Sequence, residues 1–317
     1  MCDSGIPDNP QIGDKVRATQ AGKKCSGAIA RIDGAGAPET RTVTLTQDNG
    51  VISTIAVASD LEWLGCVLPP LIYWIGGQSN AEGRASTAYA PTVHYAWFYG
   101  HDGTIHDLAD PVSAGAVFGS YGTTGAAYSL VPTLARRFRE LGIDNPLVFV
   151  PDGYAGTDSA SWALSLATEP PDPNTLIGRA KLRLAAVAAL YPDAEFGGLI
   201  TYQGESDAQT EAESLLHAAN WNAVYDELEA YIATLWPWHK DTHILHVIPP
   251  PTAPAGYTYW GNMRADASSL ASRPHTRTVQ APETVPTGQL HQNTGTDDTT
   301  GLRRLAVDLA KSWFDAP

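Results

Sequence analysis

The sequence predicts an α/β protein: a three-layer α/β/α sandwich around a parallel sheet, preceded by a small antiparallel β module. From residue 71 onward, short continuous apolar runs alternate with segments whose apolar residues recur at helical spacing. Continuous apolar strands separated by helices are typical of a parallel sheet that is covered on both faces. Before residue 67, apolar and polar residues alternate instead, which is typical of half-buried strands.

The N-terminal segment predicts a β module. "TRTVTLTQDNGVISTIAV" places two alternating runs around the turn residues 48–50, which is a strong hairpin signal. "IGDKVRATQ" and "CSGAIARI" are two further strand candidates. We therefore expect residues 1–66 to form one module, joined by the rigid linker 67–70 to a second domain at 71–317.

In the second domain, strands and helices are expected to alternate. The predicted strands are "LIYWIGG" (71–77), "PLVFVP" (146–151), "FGGLITYQGES" (196–206) and "THILHVIPPP" (242–251). The predicted helices are "AAYSLVPTLARRFRELG" (126–142), "TLIGRAKLRLAAVAALYP" (175–192), "AESLLHAANWNAVYDELEAYIATLWP" (212–237), "GNMRADASSLASR" (261–273) and "GLRRLAVDLAKSWF" (301–314).

Charge and composition exclude several classes of function. The 317 residues include 20 Lys and Arg against 34 Asp and Glu, a formal charge of −14, which argues against nucleic acid or an anionic membrane as partner. No run approaches the ~18 apolar residues of a membrane span. The N-terminus lacks the basic and apolar regions of a secretory signal. Three widely spaced cysteines disfavour a disulfide framework and a zinc cluster.

Polar clusters follow two of the predicted strands, and a histidine precedes the last helix. Residues 78–80 are Gln-Ser-Asn, residues 203–207 are Gln-Gly-Glu-Ser-Asp, and His291 stands before "GLRRLA". In parallel sheets, ligands bind beyond the carboxyl ends of the strands. A serine becomes a nucleophile when a histidine takes its proton, and a nearby acid fixes the histidine tautomer. The pattern therefore predicts a serine acyl hydrolase with Ser79 as nucleophile and His291 as base.

The stretches "IGGQSNAEG" and "YQGESDA", with the late histidine, resemble the SGNH/GDSL hydrolase superfamily. Within it they are similar to the sialic-acid 9-O-acetylesterase-like group and carbohydrate esterase family 6, the acetylxylan esterases. "HDLADPV" and "AGTDSASW" resemble two further motifs in order, so the resemblance covers roughly residues 71–315. It implies a flavodoxin-like sheet and removal of O-acetyl groups from a carbohydrate. It implies no metal and no organic cofactor.

The resemblance also implies roles for individual residues. Ser79 matches the nucleophile and His291 the general base. Glu205 matches a glutamate that lies close to the catalytic histidine in that branch. The residues implied to hold the oxyanion or the substrate are Gly125, Gln203, Gln78 and Asn80.

One departure from the family pattern concerns the acid of the triad. The family has an aspartate three residues before the histidine, where this chain has Gly288 before His291. Three sources of an acid stay open: Glu205, which we prefer, a contribution from Asp297 or Asp298, or no acid at all in a serine–histidine dyad. Because loss of a triad acid costs up to ~10⁴-fold in rate, an active enzyme is expected to have a substitute.

A second function also fits the sequence. Without its usual acid, the domain would be a degenerate esterase that binds glycans without cleaving them. Esterase-like domains of this kind occur in phage tail proteins. The 1–66 module would then be the part that attaches to the virion or to an oligomer. With no secretory signal, the expected location is the cytoplasm or a virion.

Other chemical candidates have ordinary structural explanations. His243 and His246 lie three residues apart in a predicted strand and are expected to be core or edge histidines. His101 and His106 lie in a predicted loop that is more typical of solvated side chains than of a metal site. Asp207 is expected to cap the helix that follows it. The aromatics of "HYAWFYGHDG" and "YTYWGN" are predicted in loops, where either sugar stacking or ordinary packing would explain them.

Overall fold

The chain consists of two compact units. The computed structural model describes residues 68–83, 93, 95–109, 129–164, 166–283 and 301–314, together with the backbone of five strands between residues 15 and 63. One unit is Met1–Pro69 with Asp144–Pro146, and the other is Pro70–Ile143 with Leu147–Pro317.

The first unit contains an antiparallel sheet, as the alternating pattern predicts. Its strands are β1 (Lys15–Gln20), β2 (Lys23–Asp33), β3 (Thr42–Gln47), β4 (Ile52–Ile55) and β5 (Leu61–Trp63). They are arranged in the order β4-β3-β2-β1-β5, and each neighbouring pair is antiparallel. The predicted hairpin is formed by β3 and β4, in which Thr46 pairs with Ile52.

The second unit contains a seven-stranded sheet. Its strands are β6 (Leu71–Gly77), β7 (Ala96–Tyr99), β8 (Ile105–Asp107), β9 (Leu147–Gly153), β10 (Glu195–Tyr202), β11 (Ile244–Ile248) and β12 (Thr276–Gln280). The order is β12-β11-β10-β6-β9-β7-β8, so β6 is the central strand. Every neighbouring pair is parallel except β7 with β8. The sheet is therefore mostly parallel, as predicted.

Helices cover both faces of this sheet. They are α1 (Ser79–Glu82), α2 (Val131–Glu140), α3 (Ser159–Trp162), α4 (Leu176–Leu190), α5 (Glu211–Ser214), α6 (His217–Leu235), α7 (Trp260–Ser269) and α8 (Gly301–Phe314). On one face, Tyr73 of β6 lies in a core with residues of α2 and α8. On the other, Trp74 lies in a core with residues of α4 and α6. Successive residues of a strand face opposite sides, so these two cores confirm the three-layer sandwich.

Several predicted elements differ from the observed ones. The helix predicted from residue 126 has its first described turn at Val131, where Pro132 occupies the first turn, a position that tolerates proline. The helix predicted over 212–237 is broken at residues 215–216 into α5 and α6. The backbone N–H of Ala218 in the first turn of α6 donates to Asp266 at 2.7 Å, which stabilises the new helix start.

Four strands were not predicted: β5 in the first unit and β7, β8 and β12 in the second. β7 and β8 form a hairpin from the segment expected to be loop, and β12 is a short strand with no clear alternation. Among the described residues, no helix combines the length and the apolar character that a bilayer crossing requires.

Candidate active site

Ser79 is presented by the end of the central strand. Gly77 has φ +127°, and a Cβ there would lie 2.1 Å from the carbonyl oxygen of Tyr202, so the chain needs glycine at this point. The last residues of the strand are hydrogen-bonded on both sides, with Tyr154 N–H donating to Gly77 O at 2.8 Å and Gln78 N–H to Tyr202 O at 3.1 Å. Ser79 is then the first residue of α1 and is 3% exposed. The turn fixes the position of the predicted nucleophile.

The side chains of Gln78 and Gln203 are locked together. Gln203 Nε2 donates to Gln78 Oε1 at 2.9 Å and to the carbonyl oxygen of Thr157 at 2.7 Å. The backbone N–H of Ser206 donates to the same Gln78 oxygen at 3.1 Å. An amide nitrogen carries two hydrogens, so both donors of Gln203 are engaged. In this structure Gln203 therefore holds the side chain of Gln78 in place. To bind an oxyanion, the role implied by the resemblance, Gln203 would have to break one of these two hydrogen bonds.

Glu205 lies beside the nucleophile-bearing turn. Asn80 Nδ2 donates to Glu205 Oε1 at 2.5 Å, and this bond connects the ends of the neighbouring strands β6 and β10. Glu205 is fully buried. Its second oxygen, Oε2, has no hydrogen-bond partner among the described residues. The carboxylate therefore has one oxygen held in place and one available as an acceptor.

The environment of Glu205 changes its acidity. Burial raises the pKa of Glu205 from 4.5 to about 7, and the negative charge of Asp207 adds to the rise, whereas the hydrogen bond from Asn80 opposes it. A carboxyl group with a pKa close to neutral pH is typical of functional sites.

A buried polar network behind Glu205 was not predicted. The expectation that Asp207 caps the following helix is wrong, because Thr210 is the N-cap of α5. Asp207 instead accepts hydrogen bonds from Ser159 and from His217, and His217 contacts His246 at 3.0 Å. No local pattern predicts this network, because its members are brought together by the packing of β10, α6 and β11.

Two predicted site residues lie outside the described residues. They are Gly125, the implied oxyanion donor, and His291, the implied base. The same holds for Gly288 and for the alternative acids Asp297 and Asp298. Their roles stay predictions.

Three further histidines in the described part of the chain have structural partners. His246 is fully buried, which confirms the first of the two expectations, that it is a core histidine. His101 Nδ1 accepts from Arg183 at 2.5 Å, and burial together with the charge of Arg183 lowers the pKa of His101 to about 3. His106 bonds to Asp102 at 2.9 Å on the surface. In the described part of the chain, no three His, Cys, Asp or Glu residues are grouped as metal ligands.

The aromatic segments differ in their environment. Trp97, Phe98 and Tyr99 form β7 and are buried, so the prediction of loop aromatics there is wrong and ordinary packing explains them. In the second segment, Trp260 begins α7 and is buried, while Tyr257 is half-buried and packs edge-on against it at 5.7 Å. Tyr257 therefore keeps part of its ring available.

Solved structures share the fold, whereas no protein-family model and no curated protein matches the sequence. A protein from Arabidopsis thaliana aligns with a TM-score of 0.58 at 15% identity, over 78% of this chain and 98% of that chain. NanS aligns with a TM-score of 0.53 at 12% identity, over 78% and 97%. The inhibitor-bound aryl esterase of M. smegmatis aligns with a TM-score of 0.46 at 14% identity, over 77% and 98%. At 15% and 12% identity, the first two structures show that this chain shares their fold.

Proposed function

We propose that this chain, whose fold is that of the SGNH hydrolases, is a serine esterase that removes O-acetyl groups from a carbohydrate. One contact carries the proposal: the 2.5 Å hydrogen bond from Asn80 to Glu205. It joins the turn that bears Ser79 to the turn that bears a buried carboxylate of raised pKa. This bond supports a catalytic role for Ser79 and Glu205 together, because both follow strands at the end of the sheet where parallel sheets bind their ligands.

In the first half of the reaction, Ser79 Oγ attacks the acetyl carbonyl carbon while His291 takes the hydroxyl proton. The carbonyl oxygen becomes an oxyanion, which the backbone N–H groups of Ser79 and Gly125 are proposed to bind. When the intermediate collapses, the bond to the sugar oxygen breaks, and His291 donates its proton to that oxygen. The products are a free sugar hydroxyl and acetyl-Ser79.

In the second half, His291 takes a proton from water and the resulting nucleophile attacks the acetyl-Ser79 carbonyl. Collapse of this intermediate returns the proton to Ser79 Oγ and releases acetate. The imidazole must keep one tautomer in both halves, and a carboxylate that accepts its second N–H provides this. Glu205 Oε2 is the acceptor we propose, because it is buried and has no partner in the described part of the chain.

The carbohydrate half of the proposal is supported by Tyr257. Burial raises the pKa of Tyr257 and the charge of Glu205 adds to the rise, whereas the hydrogen bond between its hydroxyl and Gln209 opposes it. The loop is held in place by Tyr259 N–H, which donates to the Ala208 carbonyl at 3.1 Å. A half-buried tyrosine offers an apolar face to sugar C–H groups and a polar tip to sugar hydroxyls. We propose that it contacts the sugar that carries the ester.

The nucleophile is tested by Ser79→Ala with p-nitrophenyl acetate as substrate. We expect the release of p-nitrophenol to fall by about 10³-fold or more, because no other described group replaces the hydroxyl. The matched control is Ser268→Ala, an exposed serine of α7 whose hydroxyl donates to the Arg264 carbonyl, and it should keep the wild-type rate. Hydrolysis that survives in Ser79→Ala would remove the proposed nucleophile.

The sugar contact is tested by Tyr257→Ala, comparing an O-acetylated xylo-oligosaccharide with p-nitrophenyl acetate. We expect kcat/KM to fall about 10-fold or more on the oligosaccharide and less than about 3-fold on the small ester, because only the former has a ring to contact. Tyr231→Ala, on the outer part of α6, is the control. Equal losses on both substrates would contradict a sugar-binding role.

The rival function, glycan binding without cleavage, makes a different prediction for the wild type. A chain that binds acetylated xylan but hydrolyses neither ester would favour it, because the family's aspartate is Gly288 here. The β1–β5 unit is proposed to be the attachment module under either function.

A further inference from the structure

Asp207 is anchored from two directions at the end of β10. Its Oδ1 accepts from the backbone N–H and from the hydroxyl of Ser159, both at 2.8 Å. Its Oδ2 accepts from His217 Nδ1 at 2.9 Å. Burial by itself would raise the pKa of Asp207, but the hydrogen bonds from His217 and Ser159 outweigh it and hold the pKa below its ordinary value. Asp207 is therefore a buried, ionised carboxylate.

The chain of bonds continues through two imidazoles and returns to β10. His217 Nε2 and His246 Nε2 are 3.0 Å apart. His246 Nδ1 bonds to the hydroxyl of Tyr225 at 2.8 Å and to that of Thr201 at 2.9 Å. Thr201 belongs to β10. The chain of hydrogen bonds therefore starts at Asp207, just beyond the end of β10, and returns to β10 at Thr201. We call Asp207, His217 and His246 the buried circuit.

The hydrogen bonds of the buried circuit fix the place of one of its protons. The Asp207 carboxylate can only accept, so His217 Nδ1 carries a hydrogen. The two Nε2 atoms in contact share one hydrogen between them. His246 Nδ1 lies within hydrogen-bond distance of both hydroxyls, which also contact each other. Burial and the neighbouring His217 hold the pKa of His246 well below its ordinary value, in keeping with a neutral ring.

The buried circuit lies directly behind the turn that carries Glu205. A Cβ at Gly204 would lie 3.4 Å from His217 Cε1 and 2.4 Å from Met263 Sδ, so the turn packs closely against the imidazole. Glu205 itself is held by the bond from Asn80 to one oxygen. The position of its other oxygen therefore depends on the turn, and the turn depends on the buried circuit.

We propose that Asp207, His217 and His246 are positioning residues. They hold Glu205 in position relative to the catalytic histidine, and they influence whether Glu205 is ionised. This inference rests on the esterase function proposed above. Asp207 acts in two ways: its bonds fix the turn, and its negative charge lies close enough to disfavour ionisation of Glu205. Among the described residues, Asn80 bonds to Glu205, and Asp207 and Tyr257 are titratable groups that interact electrostatically with it.

The test measures kcat, KM and the pH profile of p-nitrophenyl acetate hydrolysis for wild type, Asp207→Asn and His217→Gln. We expect kcat to fall about 10- to 100-fold with KM within about 2-fold, because a displaced catalytic group slows chemistry more than binding. In Asp207→Asn, the acid limb of the kcat/KM profile should also move to lower pH, because loss of the negative charge lowers the pKa of Glu205. His239→Gln is the control, a half-buried histidine bonded to Thr242.

A purely structural role predicts something else: activity lost in proportion to folded protein, measured by circular dichroism, with an unmoved pH profile. That result, or wild-type kinetics in both variants, would overturn the inference. If Asp207→Asn does not fold, Ser159→Ala removes only one of the bonds to Asp207 and should still lower kcat about 3-fold or more. An unchanged kcat there would equally overturn it. A wild type without esterase activity would refute the proposed function itself, a different outcome from active wild type and unaffected variants.

Discussion

At the scale of single residues, Glu205 shows how a functional group can cost stability. Its carboxyl group is fully buried, and its pKa is raised from 4.5 to about 7. Below pH 4.5 the group is protonated in both the folded and the unfolded chain and contributes nothing. Between pH 4.5 and 7 the unfolded chain ionises while the folded one holds its proton, so the free energy of unfolding falls as pH rises. Above about pH 7 the whole cost is present.

Glu205→Gln should therefore stabilise the folded protein at high pH and lower its catalytic rate. Relative to wild type, we expect its free energy of unfolding to rise by about 2–3 kcal/mol between pH 4.5 and pH 8, since a shift of one pKa unit corresponds to about 1.4 kcal/mol. We also expect kcat to fall about 10²- to 10⁴-fold, the range for loss of a triad acid.

Urea denaturation at the two pH values and p-nitrophenyl acetate kinetics measure these effects. Asn220→Asp changes a nearby half-buried amide that bonds to Ser159 rather than to Glu205, and serves as a comparison for altered charge. A stability difference that does not depend on pH would contradict the raised pKa of Glu205. Unchanged kinetics would show that Glu205 is not the acid of the triad.

At the scale of elements, the connection between β6 and α1 determines the position of Ser79, the proposed nucleophile. The strand continues to Gly77, pairs with Gly153 on one side and with Tyr202 on the other, and the helix begins two residues later. Such close pairing up to the last residue leaves no room for a side chain at Gly77, where the nearest backbone oxygen would be 2.1 Å from a Cβ. The turn works only because this position has no Cβ.

Gly77→Ala should lower the free energy of unfolding by about 2–5 kcal/mol, the sum of an unfavourable backbone conformation and a steric clash. Gly142→Ala is the matched control: its φ of +92° is also unfavourable, but nothing lies within 4 Å of the added Cβ, so about 1–2 kcal/mol is expected. Chemical denaturation measures both. Equal losses would mean that the clash at Gly77 is relieved by movement of the chain.

At the scale of the whole molecule, the described site belongs to one unit. Ser79, Glu205 and the buried circuit all lie in Pro70–Ile143 with Leu147–Pro317, whereas the antiparallel sheet β1–β5 lies in the other unit.

A chain that begins at residue 68 should therefore hydrolyse p-nitrophenyl acetate with kcat/KM within about 3-fold of the full chain, because the described site residues are all retained. Retention of Pro69 keeps its carbonyl as acceptor for Asn145 Nδ2 at 2.9 Å. A truncated chain that is folded by circular dichroism but inactive would show that the first unit contributes to the site.

Local sequence was sufficient for the α/β architecture, and it is also the basis on which Ser79 is proposed as the nucleophile. The apolar run of β6 and the helical spacing of α4 report directly on burial, because period and apolar content follow from which faces are covered. Ser79 was predicted because a polar cluster after a central strand has a local signature. β7 was missed because turn residues follow it directly, and β12 because Val279 is the only apolar residue among its five.

Only the tertiary structure decided which groups surround that serine. Asn80 meets Glu205 across 125 positions of sequence because β6 pairs with β10 in parallel register, and a sequence does not state strand order. His217 reaches Asp207 because the predicted long helix breaks just before it, a break that packing favours and helix propensity does not reveal. Composition and periodicity depend on each residue's own exposure, whereas these contacts depend on how distant elements pack.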